Sequence, residues 1–303
     1  MRVKLFFFAL AFASFAHAQT VVTGPEAMVR EAYENQRQNS DLVLEMRGTD
    51  TRAGSTATIH AVLYWRLSAD PRTNQSSRAQ VELDVSDVNA KGEDVLRMRI
   101  VGDGTSLYRY DVARREVSTS LYGFYGTTPP AGYAGSDAPK LLAQLRSATP
   151  GLSAYLVRLL EEMNPAGSGY ADRYADWMPG RRKMTFDEVP MPPRRTTGNS
   201  LFDTVTDPIT GRAFMRNADE WMFVGMDSLG TDRTVAFRMV DENAHAEGTY
   251  PRWVVGSLNV AQRAPNRVVD LTLVPNSGTA PAWAYSPYTG AQAAAFRPIA
   301  ARL

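Results

Sequence analysis

The sequence predicts an α+β protein built on one continuous, strongly curved antiparallel sheet, with helices covering one of its faces. Three observations lead there. Two long runs of residues alternate apolar and polar side chains with period 2, two short stretches between them carry helical stripes, and tight-turn residues separate the alternating segments.

The first run starts after a short predicted helix at 25–38, where Pro25 suits a first helical position and Glu26 the first turn. In DLVLEMRGTD (41–50), Leu42, Leu44 and Met46 share a face. In TATIHAVLYWRLS (56–68), Ile59, Ala61, Leu63, Trp65 and Leu67 oppose Thr58, His60, Tyr64 and Arg66. AQVELDVSDV (79–88) sets Val81, Leu83 and Val85 against Gln80, Glu82 and Asp84. DVLRMRIV (94–101) sets Leu96, Met98 and Ile100 against Arg97 and Arg99. Asp103-Gly104 then reads as a type I′ hairpin turn, since both residue types tolerate positive φ. One wet and one apolar face is the mark of an antiparallel sheet.

Residues 126–136 read as a loop. The helical stretches follow, with Leu141, Leu142 and Leu145 in one and Leu152, Leu156, Leu159 and Leu160 in the other. Residues 164–183 form a long loop punctuated by Tyr170, Tyr174 and Trp177. Strand patterns return at 201–205, 212–216, 220–227, 234–241, 252–262 and 267–276. Neither half has enough elements to cover its own apolar face, so the two runs belong to one sheet interrupted by helices. Residues 276–303 lack sustained periodicity and are expected to be a flexible tail.

The first 18 residues have the build of a signal peptide: Arg2 and Lys4, an apolar run from Leu5 to Phe15, and Ala16-His17-Ala18 as the cleavage pattern. The run falls short of the ~20 residues a spanning helix needs. Three parts are therefore expected: signal peptide 1–18, a folded domain 19–275, and the tail. Removing 18 of 303 residues leaves 285, with 31 basic against 32 acidic side chains once Arg2 and Lys4 are gone. That balance argues against a nucleic-acid-binding surface. No cysteine is present, so neither a lipid-modified cysteine nor a disulfide is available, and stability rests on the core. The expected location is periplasmic or otherwise extracytoplasmic, in a soluble form.

The stretch from 100 to 121 carries a family likeness. Asp103-Gly104-Thr105-Ser106-Leu107-Tyr108-Arg109-Tyr110-Asp111, followed by Arg115-Glu116-Val117, resembles the hairpin of the periplasmic outer-membrane lipoprotein carriers (LolA-like). LYWRLSADPR (63–72) resembles the same family's strand that ends in an aromatic, a basic residue and a proline. The likeness covers most of 25–121 and, by strand pattern, 184–275. It implies an incomplete β-barrel with helices packed on an apolar concave side, holding a lipid or a lipoprotein acyl chain. Period alone assigns Leu44, Met46, Leu63, Trp65, Leu83, Leu96 and Met98 to that side as lipid-binding residues. The family's strand-end arginine contacts the lid, and here Arg66 or Arg72 stands for it. The chain departs from the family in the extra segments 164–183 and 207–211 and in the tail.

Signatures of catalysis are weak. Gly225 to Gly230 misses the Gly-x-Ser-x-Gly spacing by one residue. Only His60 and His245 remain after the signal peptide, too few and too far apart in the chain for a histidine-pair metal motif. The carboxylates Asp203, Asp207, Asp219 and Glu220, like Asp241, Glu242 and Glu247, lie at turns, where acidic residues shape the backbone. Tyr122, Phe124 and Tyr125, with the aromatics of the long loop, suit a lid or a partner contact, or equally dock the loop on the core. The reading is a non-enzymatic exported carrier without cofactor or metal. The alternative is an envelope sensor or protein-interaction module on the same fold, resembling periplasmic regulators of anti-sigma factors, with an envelope protein as partner.

Overall fold

The structure, a computed structural model, describes residues 32–36, 39, 41–69, 77–123, 136–163, 186–190, 203–206, 213–216, 220–226, 232–242, 252–276 and 280–300. Six strands open the chain: β1 (Asp41–Arg52), β2 (Ser55–Ala69), β3 (Ser77–Val88), β4 (Asp94–Gly102), β5 (Ser106–Asp111) and β6 (Glu116–Leu121). Helices α1 (Ala138–Ala148) and α2 (Ala154–Met163) follow, linked by a 3-10 turn at Gly151–Ser153. The second run comprises β7 (Phe186–Pro190), β8 (Asp203–Thr206), β9 (Ala213–Arg216), β10 (Glu220–Met226), β11 (Asp232–Asp241), β12 (Trp253–Ala264) and β13 (Arg267–Asn276). A short helix α3 (Gly290–Ala294) and strand β14 (Arg297–Ile299) end the described chain.

Among the described residues, twelve strands form one sheet in the order β14-β6-β5-β4-β3-β2-β1-β13-β12-β11-β10-β7, with β8 and β9 as a separate hairpin. Strand β1 pairs antiparallel with β13 from Val43–Asn276 to Arg52–Arg267, and this seam joins the two strand runs into the single sheet expected. Its ends, β14 and β7, are not neighbours, so the sheet stays open. At Gly48 the seam leaves no room for a side chain: an added Cβ would lie 2.3 Å from Leu271 Cδ2 and 3.2 Å from the Asp270 carbonyl oxygen.

Alternation puts one apolar row across seven strands: Phe237, Leu258, Leu273, Met46, Ala61, Val85 and Met98 are successive register partners. Beside it run Leu44, Leu63, Leu83 and Ile100. Helices α1 and α2 cover this inner face with Leu141, Leu142, Leu145, Leu156, Leu159 and Leu160, and all of these side chains belong to one buried cluster. Two bulges, between Val85 and Ser86 and between Arg238 and Met239, interrupt the ladder. Such insertions bend a sheet and strengthen its twist.

Local chemistry sets the ends of these elements. Pro139 begins α1 where a missing N–H costs nothing, and Thr149 closes it by donating from both its amide and its hydroxyl to the Leu145 carbonyl. Of the helix expected at 25–38, the described residues 32–36 are helical. Asn35 Nδ2 donates to the Trp253 carbonyl at 2.8 Å, which fixes that turn on β12.

The β4–β5 turn differs from the type I′ reading. Its centre is Gly104-Thr105, closed by the Asp103 N–H donating to the Ser106 carbonyl, and of these residues only Gly104 has positive φ, at 104°. Asp103 precedes the turn and caps it: its Oδ1 accepts from the amides of Thr105 and Ser106, both at 2.9 Å. A glycine at the first central position is the type II′ pattern.

The structure also places part of the expected tail. Residues 280–300 lie against the sheet, and β14 adds to the strand β6 in parallel. A chain that crosses strands meets each of them once, so its aromatics follow no strand period.

Candidate functional site

Each face of the sheet presents a candidate surface, and the inner one carries the residues expected to meet lipid. Leu44, Met46, Leu63, Trp65, Leu83 and Met98 all belong to the buried cluster beneath α1 and α2. Leu96 does not join them. The bulge sets Met98 opposite Val85 but Leu96 opposite Ser86, so Leu96 emerges half-buried on the other face. One inserted residue reverses the side on which every later side chain points.

Trp65 brings a polar atom into this apolar setting. Its side chain is fully buried, yet among the described residues its indole Nε1–H has no hydrogen-bond partner. A buried donor left unpaired costs ~1–3 kcal/mol.

Arg66, expected at the lid, points the other way because its neighbour Trp65 points inward. Its Nε donates to Asp41 at 3.1 Å and its guanidinium lies 5.1 Å from the ring centre of Tyr285. Arg72 lies outside the described residues. Among the described residues, Arg109 on β5 bonds a helix end: its Nε donates to the Ala148 carbonyl at 3.1 Å. Nearby, Gln144 of α1 meets Ser120 Oγ at 3.0 Å and donates to the Leu121 carbonyl at 2.9 Å. These polar ties of α1 gather at the β5–β6 edge. They line a cleft of about 300 Å³ with Leu107, Ser118 and Ser147.

The outer face carries a charge cluster. Glu82 is fully buried and accepts from Arg99 Nε at 3.1 Å, while Arg99 Nη2 lies 2.9 Å from the same oxygen. Burial pulls the Arg99 pKa down, but the bond and charge of Glu82 more than offset it, so the guanidinium is held protonated. Asp84, next on the same face, is 3.7 Å from Arg99, and its Oδ1 is sealed from solvent without a hydrogen bond among the described residues. Burial, followed by the repulsion of Glu82, pushes the Asp84 carboxyl up to about 7.

The C-terminal segment lies across this cluster. Tyr285 N–H donates to Glu82 Oε2 at 2.8 Å, and Arg99 Nη2 donates to the Ser286 carbonyl at 3.2 Å. Trp283 packs edge-on against Tyr64 at 5.9 Å, and Tyr288 and Phe296 pack against Tyr110 at 4.7 and 5.1 Å. Beyond them the Arg297 N–H donates to the Arg115 carbonyl at 2.8 Å. Their only signal in the sequence was a set of aromatics without period.

His60 sits on this outer face too, with Nδ1 2.6 Å from Asp94 and Nε2 3.1 Å from Glu45. Among the described residues no three histidine or acidic side chains gather to hold a metal. His245, Asp207, Asp219, Glu247, Phe124, Tyr125 and the aromatics of 164–183 lie outside the described residues, as does the signal peptide. No described helix is long and apolar enough to cross a membrane.

No protein-family model matches the chain, and no curated protein matches it. Similar solved structures include LprF from Mycobacterium bovis, at 11% identity and a TM-score of 0.31, covering 86% of this chain and 98% of that one. A putative outer membrane lipoprotein-sorting protein domain from Vibrio parahaemolyticus is similar at 11% identity and 0.26, covering 84% and 94%. A DUF1329 family protein from Desulfovibrio piger is similar at 11% and 0.26, covering 86% and 96%.

Proposed function

We propose that this chain is an exported, non-enzymatic binding protein that takes a lipid or acyl chain onto its inner face when α1 and α2 move aside. One observation carries the reading: the inner face is an unbroken apolar surface from β11 to β4, covered by helices whose own contribution is leucine-rich. Contacts of this kind are non-directional, so an acyl chain can replace them without leaving hydrogen bonds unmade, and each buried methylene contributes ~0.8 kcal/mol. The ties of α1 at the β5–β6 edge supply a hinge line. Trp65 Nε1–H, unpaired in the closed form, supplies one donor to an ester or amide carbonyl at the head of the chain.

A second reading, a sensor or protein-interaction module, is favoured by the completeness of the helical cover. In such a protein the inner face is simply core, and contacts are made elsewhere.

Native mass spectrometry of residues 19–303, secreted from an exporting host, separates the two. A carrier emerges with an added mass that dissociates as a phospholipid or acylated species. A folded protein that remains empty after incubation with phospholipid vesicles excludes the carrier reading and leaves the second.

A further inference from the structure

Two carboxylates, Glu82 and Asp84, share one guanidinium, Arg99, beneath the C-terminal segment. Arg99 bonds Glu82 at 3.1 Å and approaches Asp84 only to 3.7 Å. The same pair reads the backbone of the segment, with Glu82 accepting from Tyr285 N–H and Arg99 donating to the Ser286 carbonyl. At that point the backbone is strained, because Tyr285 has φ 68°, a left-handed conformation uncommon outside glycine and asparagine. The segment is thus held over a charge-imbalanced site by bonds to members of that site, in a backbone geometry that favours release.

We propose that residues 280–300 form a proton-linked strap, held on the outer face while Asp84 carries a proton and loosened when Asp84 ionises, which uncovers the edge of β6.

Every charged or titratable group around Asp84 bears on this. Glu82 lies along β3, Tyr64 on β2 with Glu45 beyond it on β1, Arg99 on β4 with Tyr110 behind it on β5, and Tyr285 and Tyr288 on the strap. Arg99 is the cation that reaches Asp84 and is committed to Glu82, while Arg66 on β2 bonds Asp41 and lies over the strap's Tyr285 ring. Burial raises Tyr64, Tyr110 and Tyr285, so these phenols stay neutral in the relevant range. With its side chain 26% exposed, Asp84 can exchange a proton with solvent without prior unfolding.

The sign follows from linkage. With the strap docked, burial and then Glu82 raise the Asp84 pKa to about 7; on this proposal, water reaching the cluster once the strap leaves relieves the burial and lowers the value toward the ordinary carboxylate range. The docked form therefore holds the extra proton. Its hold is full in acid and is lost as pH rises through about 7.

Hydrogen exchange by mass spectrometry on the full mature chain tests this, comparing wild type with Asp84→Asn at the same pH so that intrinsic exchange rates cancel. Asparagine mimics the protonated acid. The strap peptides should exchange alike in the two proteins at pH 3.5, and at least tenfold faster in wild type at pH 8.5, with most of the rise between these values complete by about pH 7. Asp84→Ala, also uncharged, should match Asp84→Asn in showing no such rise. Phe296→Ala should speed strap exchange at both pH values while β2 stays protected. Equal strap exchange in wild type and both Asp84 variants at pH 8.5, or slower exchange in wild type there, overturns the proposal.

Discussion

Arg109 Nε donates to the carbonyl of Ala148 from 3.1 Å, tying strand β5 to the last turn of helix α1. The contact is unusual in its surroundings. Arg109 lies opposite Ile100 on the inner side of the sheet, and it meets a helix end whose carbonyls lack intrahelical partners. Arg109→Ala should cost ~1 kcal/mol in urea unfolding, the worth of one such bond. It should also quicken uptake of a fluorescent fatty-acid probe, because α1 loses an anchor at its hinge line. Arg109→Lys keeps a cation at the helix end and should fall between the two. A variant with reduced stability but an unchanged uptake rate would count against helix movement as the way in.

Tyr122 offers a test of the hairpin that carries the family likeness. Its phenol accepts from the Gly104 N–H at 2.6 Å and donates to the Ala79 carbonyl at 2.7 Å, linking the β4–β5 turn to β3. Burial drives the phenol's pKa far above its ordinary value, so the group stays neutral and keeps its donor. Tyr122→Phe removes one oxygen and strands both partners. The expected loss is ~1–3 kcal/mol, read from the urea midpoint at unchanged m-value.

Leu96 and Met98 should respond very differently to truncation, although the period-2 pattern places them together. Met98 is 4% exposed within the core, so Met98→Ala should cost ~2–5 kcal/mol. Leu96 is only half-buried, on the far side of the bulge, and Leu96→Ala should cost about 1 kcal/mol or less. Equal losses in thermal unfolding would mean that the bulge is misplaced.

This pair also marks the limit of what was legible in the sequence. Alternation assigned Leu44, Met46, Leu63, Trp65 and Leu83 to the inner side correctly, because each lies in a stretch of ladder without an insertion. Nothing in DVLRMRIV announces a bulge, which depends on how β3 and β4 fit together. Arg109 was readable in principle. In Leu107-Tyr108-Arg109-Tyr110 the alternation places the charged residue with Leu107, facing the helices, and a cation on an apolar face needs a partner. The strap was not readable, because Trp283 meets Tyr64 and Tyr285 meets Glu82 through contacts spanning some two hundred residues.

At the far end of the β1–β13 seam, Asp50 gives a pH-dependent prediction of its own. Its carboxylate accepts from Arg267 Nε and Nη2, both at 2.9 Å, and from Arg52 Nε and Nη2 at 3.1 and 2.8 Å. The bonds from Arg267, followed by those from Arg52, hold the carboxyl down at about 2, against an ordinary 3.8. A depressed folded-state value stabilises the fold above the unfolded-state pKa, and the contribution is lost as pH falls through about 2. Both guanidinium groups are well exposed, Arg52 by 64% and Arg267 by 39%, so solvent screening limits the contribution to about 1 kcal/mol. Asp50→Asn should therefore unfold earlier than wild type at pH 7, by about 1 kcal/mol or less, and the gap should narrow as salt is added. Wild type and variant should converge as the pH approaches 2. A gap that persists in strong acid would show that Asp50 acts through packing at the seam and not through its charge.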